Sequence, residues 1–134
     1  MKPSDVRHPK TIEQHLLRQS SWMIHRAILP KVDGIKIGGH QASSALIASI
    51  ITALYFTALR PADRVAVKLQ ASRVFHAMQH LMGNQTREKM ESFLGFGGVQ
   101  SYPRGTKDTD DVDLSTGSVG LGVVITSFAA IIQD

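Results

Sequence analysis

The chain has 134 residues, 43% hydrophobic and 19% charged, which is enough apolar material for one core and excludes a disordered tail. It has no cysteine, so disulfides and thiolate metal sites are excluded and a reducing compartment fits. The formal charge is +4, but Lys2, Arg7, Lys10, Arg18, Arg26, Lys31, Lys36, Arg60, Arg64 and Lys68 are scattered among acids. That spread argues against a nucleic-acid partner and leaves a weak pull on anions such as phosphate.

The first ten residues are polar and carry no apolar segment, so no secretory signal is expected. Thr11-Ile12-Glu13-Gln14 has the pattern of a capping box, with Thr11 as cap and Gln14 reaching back. Ile12, Leu16, Met23 and Ala27 then recur at helical spacing, and Pro30 ends the helix. Asp33-Gly34 reads as a turn, Ile35-Lys36-Ile37 as a short extended piece, and Gly38-Gly39-His40 as the turn into the next helix. Spacing alone favours a tight turn with an incidental histidine, although His40 there has the chemistry of an anion ligand or proton donor.

From Ala42 to Leu59 the chain is uncharged and just reaches transmembrane length. Ser43, Ser44, Ser49, Thr52 and Thr57 dilute it, which favours a helix buried on most sides in a soluble protein, with no membrane and a cytoplasmic location. Pro61 closes this helix. Arg64 to Lys68 reads as a strand, and Ser72 to Met82 as a helix with Gly83 just past its end. Thr86 to Phe93 reads as a further short helix. His76 and His80, four residues apart, have the spacing of half a metal site, but no third ligand is evident and a pair on the helix surface is expected.

Gly95 to Asp113 is rich in Gly, Pro, Thr and Asp and reads as a long irregular loop. Its acids, Asp108 to Asp113, lack the central glycine and closing glutamate of a calcium loop, so a solvated acidic loop is expected. Thr116-Gly117-Ser118-Val119-Gly120-Leu121-Gly122 then precedes an apolar run, Val123 to Ile132, that reads as a last helix. A glycine-rich loop before a helix has amides placed for a phosphate. It lacks the lysine of a Walker loop and the register of a dinucleotide fingerprint or a nucleophile elbow. Helices alternating with short apolar strands point to α/β architecture.

In order, GGHQASSA (38–45), RPADRVAVKLQAS (60–72), FHAMQHLMGNQTREK (75–89), QSYPRGTKDTDD (100–111) and STGSVGLG (115–122) resemble the thiamine-diphosphate domain of bacterial pyruvate dehydrogenase-like transketolases. The resemblance covers nearly the whole chain. It implies an incomplete transketolase-like domain spanning residues 1–134, α/β, with helices around a short parallel sheet. It further implies thiamine diphosphate with magnesium, held between two chains or two domains, and a 2-keto acid or keto sugar as substrate. By the same resemblance His40 is catalytic, and His40, Gln70, Ser72, Gly117, Ser118 and Val119 contact the cofactor.

Three departures qualify the resemblance. The family's strand-end loop carries a histidine followed by Ala-Ser-Pro, where this chain has Gln70-Ala71-Ser72-Arg73. Glutamine hydrogen-bonds but does not titrate near neutral pH. Arg73 in place of proline is expected either to bind phosphate or to disturb the turn. The family's Gly-Asp-Gly segment and downstream asparagine, which ligate magnesium, are not among these residues. The expectation is a fragment, inactive alone, that self-associates or pairs with a related chain; the alternative is a noncatalytic interaction protein.

Overall fold

The computed structural model describes residues 8–29, 41–106, 108, 112–118 and 120–133. The first helix, α1, spans Pro9–Ile28. It begins two residues before the expected cap. Proline fits the first helical position because its missing N–H would have had no helical partner. The carbonyl of His8 accepts from the amides of Thr11 and Ile12, so Thr11 lies inside the first turn and caps nothing. Ile12, Leu16, Met23 and Ala27 form the buried stripe, joined by Ser20 and Ile24.

Helix α2 (Gln41–Ala53) continues through one π-helical turn, Leu54–Ala58, closed by the Leu59 amide donating to the Leu54 carbonyl. Its buried residues are Ser44, Ala48, Ile51 and Thr52, and they pack against α1. The opposite side is bare: Leu46 is 80% exposed and Ile50 59%. The expectation of burial on most sides is therefore corrected. Gln41–Ala58 is the one helix among the described residues long and apolar enough to cross a membrane, at mean hydropathy 1.4 and 22% buried. The Ser49 hydroxyl donates to the Glu13 carboxylate and ties its exposed flank to the charged side of α1.

Strand β1 is only Ala66–Val67, followed by a 3-10 turn, Leu69–Ala71, and helix α3, Ser72–Met82. Helix α3 is the centre of the molecule, since every residue from Ser72 to Gln79 is buried. It ends where glycine permits: Gly83 has φ +87°, its amide donates to His80, and the Asn84 amide reaches back to Gln79. The short α4, Arg87–Glu91, is capped by the Thr86 hydroxyl, which accepts from the Lys89 amide. Val74, Phe75, Ala77 and Met78 of α3 meet Leu16 and Met23 of α1, Met90 of α4, Phe93 and Val99 in one core. Burial of each larger member contributes roughly 1.5–3 kcal/mol.

Strand β2, Leu114–Ser115, pairs in parallel with β1, Ala66 opposite Leu114 and Val67 opposite Ser115. Helix α5, Leu121–Gln133, completes the described chain and buries none of its residues. The expectation of an α/β domain with helices around a parallel sheet is overturned, because the described residues are mostly helical, 64% helix and 3% strand. The physical reason lies in α1, α2 and α3. They bury their apolar faces on one another, whereas a parallel sheet would need extended strands with both faces covered. The expected strand from Arg64 to Lys68 shrinks to two residues for the same reason. The pieces expected at Ile35 to Ile37 and Gly38 to His40 lie outside the described residues.

Candidate functional site

Parallel pairing brings the carboxyl ends of β1 and β2 side by side, and both lead directly into turns. Beyond β1 comes Lys68, whose ammonium donates to the Gly117 carbonyl at 2.6 Å. Beyond β2 comes Thr116, 4% exposed, whose hydroxyl lies 3.5 Å from the Val67 carbonyl. Gly120 then turns the chain with φ +83°, a conformation glycine adopts without a Cβ clash, and α5 begins at Leu121. The Val124 amide closes the first turn on the Gly120 carbonyl.

These pieces line a cavity of about 320 Å3 whose walls include Lys68, Thr116, Gly120, Gly122 and Thr126. A helix start leaves its first amides without intrahelical partners and carries the positive end of the helix dipole. With an ammonium beside it, this end of the molecule favours an anion.

Of the residues the sequence singled out, Gln70 is exposed in the 3-10 turn after β1. Ser72 is fully buried, and its hydroxyl donates to the Leu69 carbonyl at 2.8 Å, so it shapes the turn rather than facing solvent. Gly117 and Ser118 are exposed in the loop before α5. The structure thus brings the Gln70 turn and the Gly117-Ser118 loop to the same end, through Lys68. His40 and Val119 lie outside the described residues.

Arg73 lies among the buried residues of α3. It is 7% exposed, with its guanidinium carbon 5.5 Å from the centre of the Phe93 ring. Its Nε is buried without a hydrogen-bond partner, and desolvation holds its pKa below the ordinary arginine value.

The histidines of α3 do not form the surface pair expected from their spacing. His76 is completely buried, and its Nε2–H donates to the Gln100 carbonyl at 2.8 Å. His80 donates through Nδ1–H to the Gln85 carbonyl at 2.8 Å. The acids are also spent locally. Asp108 accepts from the amides of Arg104 and Gln100, at 2.7 and 3.4 Å, and so ties the long loop together. Asp113 takes the Arg64 guanidinium at 2.9 Å and the Val65 amide at 3.0 Å. Asp110 and Asp111 lie outside the described residues. No group of three or more His, Cys, Asp or Glu able to hold a metal occurs among the described residues.

Two contributors were missed in the sequence, Lys68 and Tyr102. The Tyr102 ring would lie 3.7 Å from a Cβ at Gly117, so it backs the loop. Lys68 had a signal. It stands at the carboxyl end of an apolar strand segment, the place where parallel strands present ligands. Compared with known proteins, the chain matches no family model and no curated protein.

Proposed function

We propose that these residues are an amino-terminal part of a thiamine-diphosphate-dependent enzyme acting on 2-keto substrates, pyruvate dehydrogenase-like or transketolase-like. On this reading they support the diphosphate end of the cofactor and are inactive alone. The observation that carries the reading is the Lys68–Gly117 bond, which holds the strand-end turn with Gln70 against the glycine loop and the start of α5. An ammonium, an exposed carboxamide and helix-start amides form a donor set that fits diphosphate oxygens.

The same residues do not fit the magnesium ion, since Asp108 accepts from backbone amides, Asp113 accepts from Arg64 and the Val65 amide, and no group of three or more His, Cys, Asp or Glu is assembled among the described residues. The reading places the protein in the cytoplasm, with the bare side of α2 covered by protein. Titration of inorganic diphosphate tests the donor set: saturable binding that weakens about tenfold in Lys68→Met supports it. Absence of binding, or equal binding by the variant, contradicts it.

A second reading is a noncatalytic protein that pairs with a copy of itself or a related chain. What favours it is α5, where Val123, Val124, Phe128, Ile131 and Ile132 are each at least 64% exposed. An apolar surface of that kind is usually covered.

A further inference from the structure

The long loop after α4 holds a cavity of about 340 Å3 lined by Leu94, Gln100, Ser101, Tyr102 and Arg104. Its frame is fixed by the core beneath it. Phe93 and Val99, the chain neighbours of Leu94 and Gln100, are buried, and so is Pro103 between Tyr102 and Arg104. His76 holds the Gln100 carbonyl at 2.8 Å. Leu94 has φ +60°, a left-handed backbone that leucine seldom adopts, and its amide is held by the Val99 carbonyl at 3.0 Å. Strain of this kind persists where the surroundings over-determine it, and it clusters at ligand sites.

Arg104 is the one cation on the cavity wall, and no ion pair engages it among the described residues. Asp108, the acid that closes the loop, spends its oxygens on the Gln100 and Arg104 amides, at 3.4 and 2.7 Å. The guanidinium charge is thus left for something else. Arg104 and Tyr102 are both exposed, so a ligand reaches them from solvent. Ser101 adds a hydroxyl, while Leu94 and the Tyr102 ring add apolar surface. Neither Arg104 nor Ser101 belongs to the site around Lys68.

We propose that this cavity binds a short-chain aliphatic monocarboxylate. The planar fork of Arg104 takes both carboxylate oxygens, and one cation matches one negative charge. The Ser101 hydroxyl donates to a remaining lone pair. The hydrocarbon chain lies against Leu94 and Tyr102. The cavity is near the lower end of the size range for small-molecule sites, which limits the chain to a few carbons.

NMR titration of the whole chain with butyrate tests this, beside butyramide, which lacks the charge, and acetate, which lacks the chain. Butyrate is expected to bind at least about tenfold more tightly than butyramide. Its expected advantage over acetate is about fivefold. Arg104→Gln is expected to erase the first preference and Leu94→Ala to reduce the second. Absence of butyrate binding, equal binding of the amide, or an unchanged preference in either variant would overturn the proposal. The native circular dichroism of each variant shows that a lost preference does not come from unfolding.

Discussion

The ammonium of Lys68 donates a 2.6 Å hydrogen bond to the carbonyl of Gly117, 49 residues further along the chain. The β1–β2 ladder has only two pairs, so this bond and the Thr116–Val67 approach are what extend the pairing toward α5. The glycine loop is thereby anchored at one point while Gly117 and Ser118 stay exposed.

Removing that anchor should loosen the loop before it harms the core. Lys68→Met is expected to cost about 1 kcal/mol, the net worth of one hydrogen bond. Hydrogen exchange at residues 114–118 is expected to rise while α3 remains protected. Equal acceleration in α3 would show that the ladder and the helical core unfold as one unit.

Arg73 is a buried charge whose described company is an aromatic ring. Replacing a buried ion pair by apolar residues of similar volume is often neutral or stabilising by about 1–4 kcal/mol, and a charge buried without an ion partner has less to lose. Arg73→Met is therefore expected to raise the urea midpoint at neutral pH. The sign follows from the lowered pKa. The unfolded chain binds the proton more tightly, so Arg73's cost is complete at neutral pH. It declines only as pH rises from the lowered pKa toward the ordinary arginine value. A loss of stability in the variant would show instead that the guanidinium has an anionic partner worth more than its burial costs.

Gly98 sits where a side chain has no room, because an added Cβ would lie 1.8 Å from the Ser92 carbonyl oxygen. The obstacle is backbone, so Gly98→Ala must displace the turn that follows α4. The expected cost is about 3 kcal/mol, at the upper end for overpacking. Gly83→Ala, with open space but φ +87°, is expected to cost only about 1–2 kcal/mol. Chemical denaturation of the two variants checks the order, and a milder effect at Gly98 would contradict it.

Where local chemistry decides, the sequence was legible. Ser72 and Gly83 bound α3 as read, and Thr86 caps α4. At α1, Pro9 outweighed the capping pattern at Thr11, because a fixed φ and a dispensable N–H start the helix earlier. Burial was less legible, since it depends on what comes to lie beside a segment. Buried His76 bonds to the Gln100 carbonyl, 24 residues away, and its spacing from His80 carried no trace of that. The apolarity of α2 was plain, but its bare face is set by which neighbours pack on it. At the candidate site the glycine loop could be read, while Lys68 acts through a distant pairing.

The apolar side of α5 should make the chain associate. Self-association with hydrophobic dye binding is expected, and Phe128→Asp with Ile132→Lys should reduce both, because α5 buries no residue in this structure. Light scattering across a concentration series measures it. A monomer at all concentrations, with no dye bound, would show that this surface is tolerated in water.

Calorimetric titration of thiamine diphosphate into the purified chain, with and without magnesium, tests the proposed role most directly. The expected result is weak binding that magnesium does not strengthen and that Lys68→Met reduces, as for a diphosphate held by an ammonium, a carboxamide and helix-start amides. Tight binding that requires magnesium would contradict it.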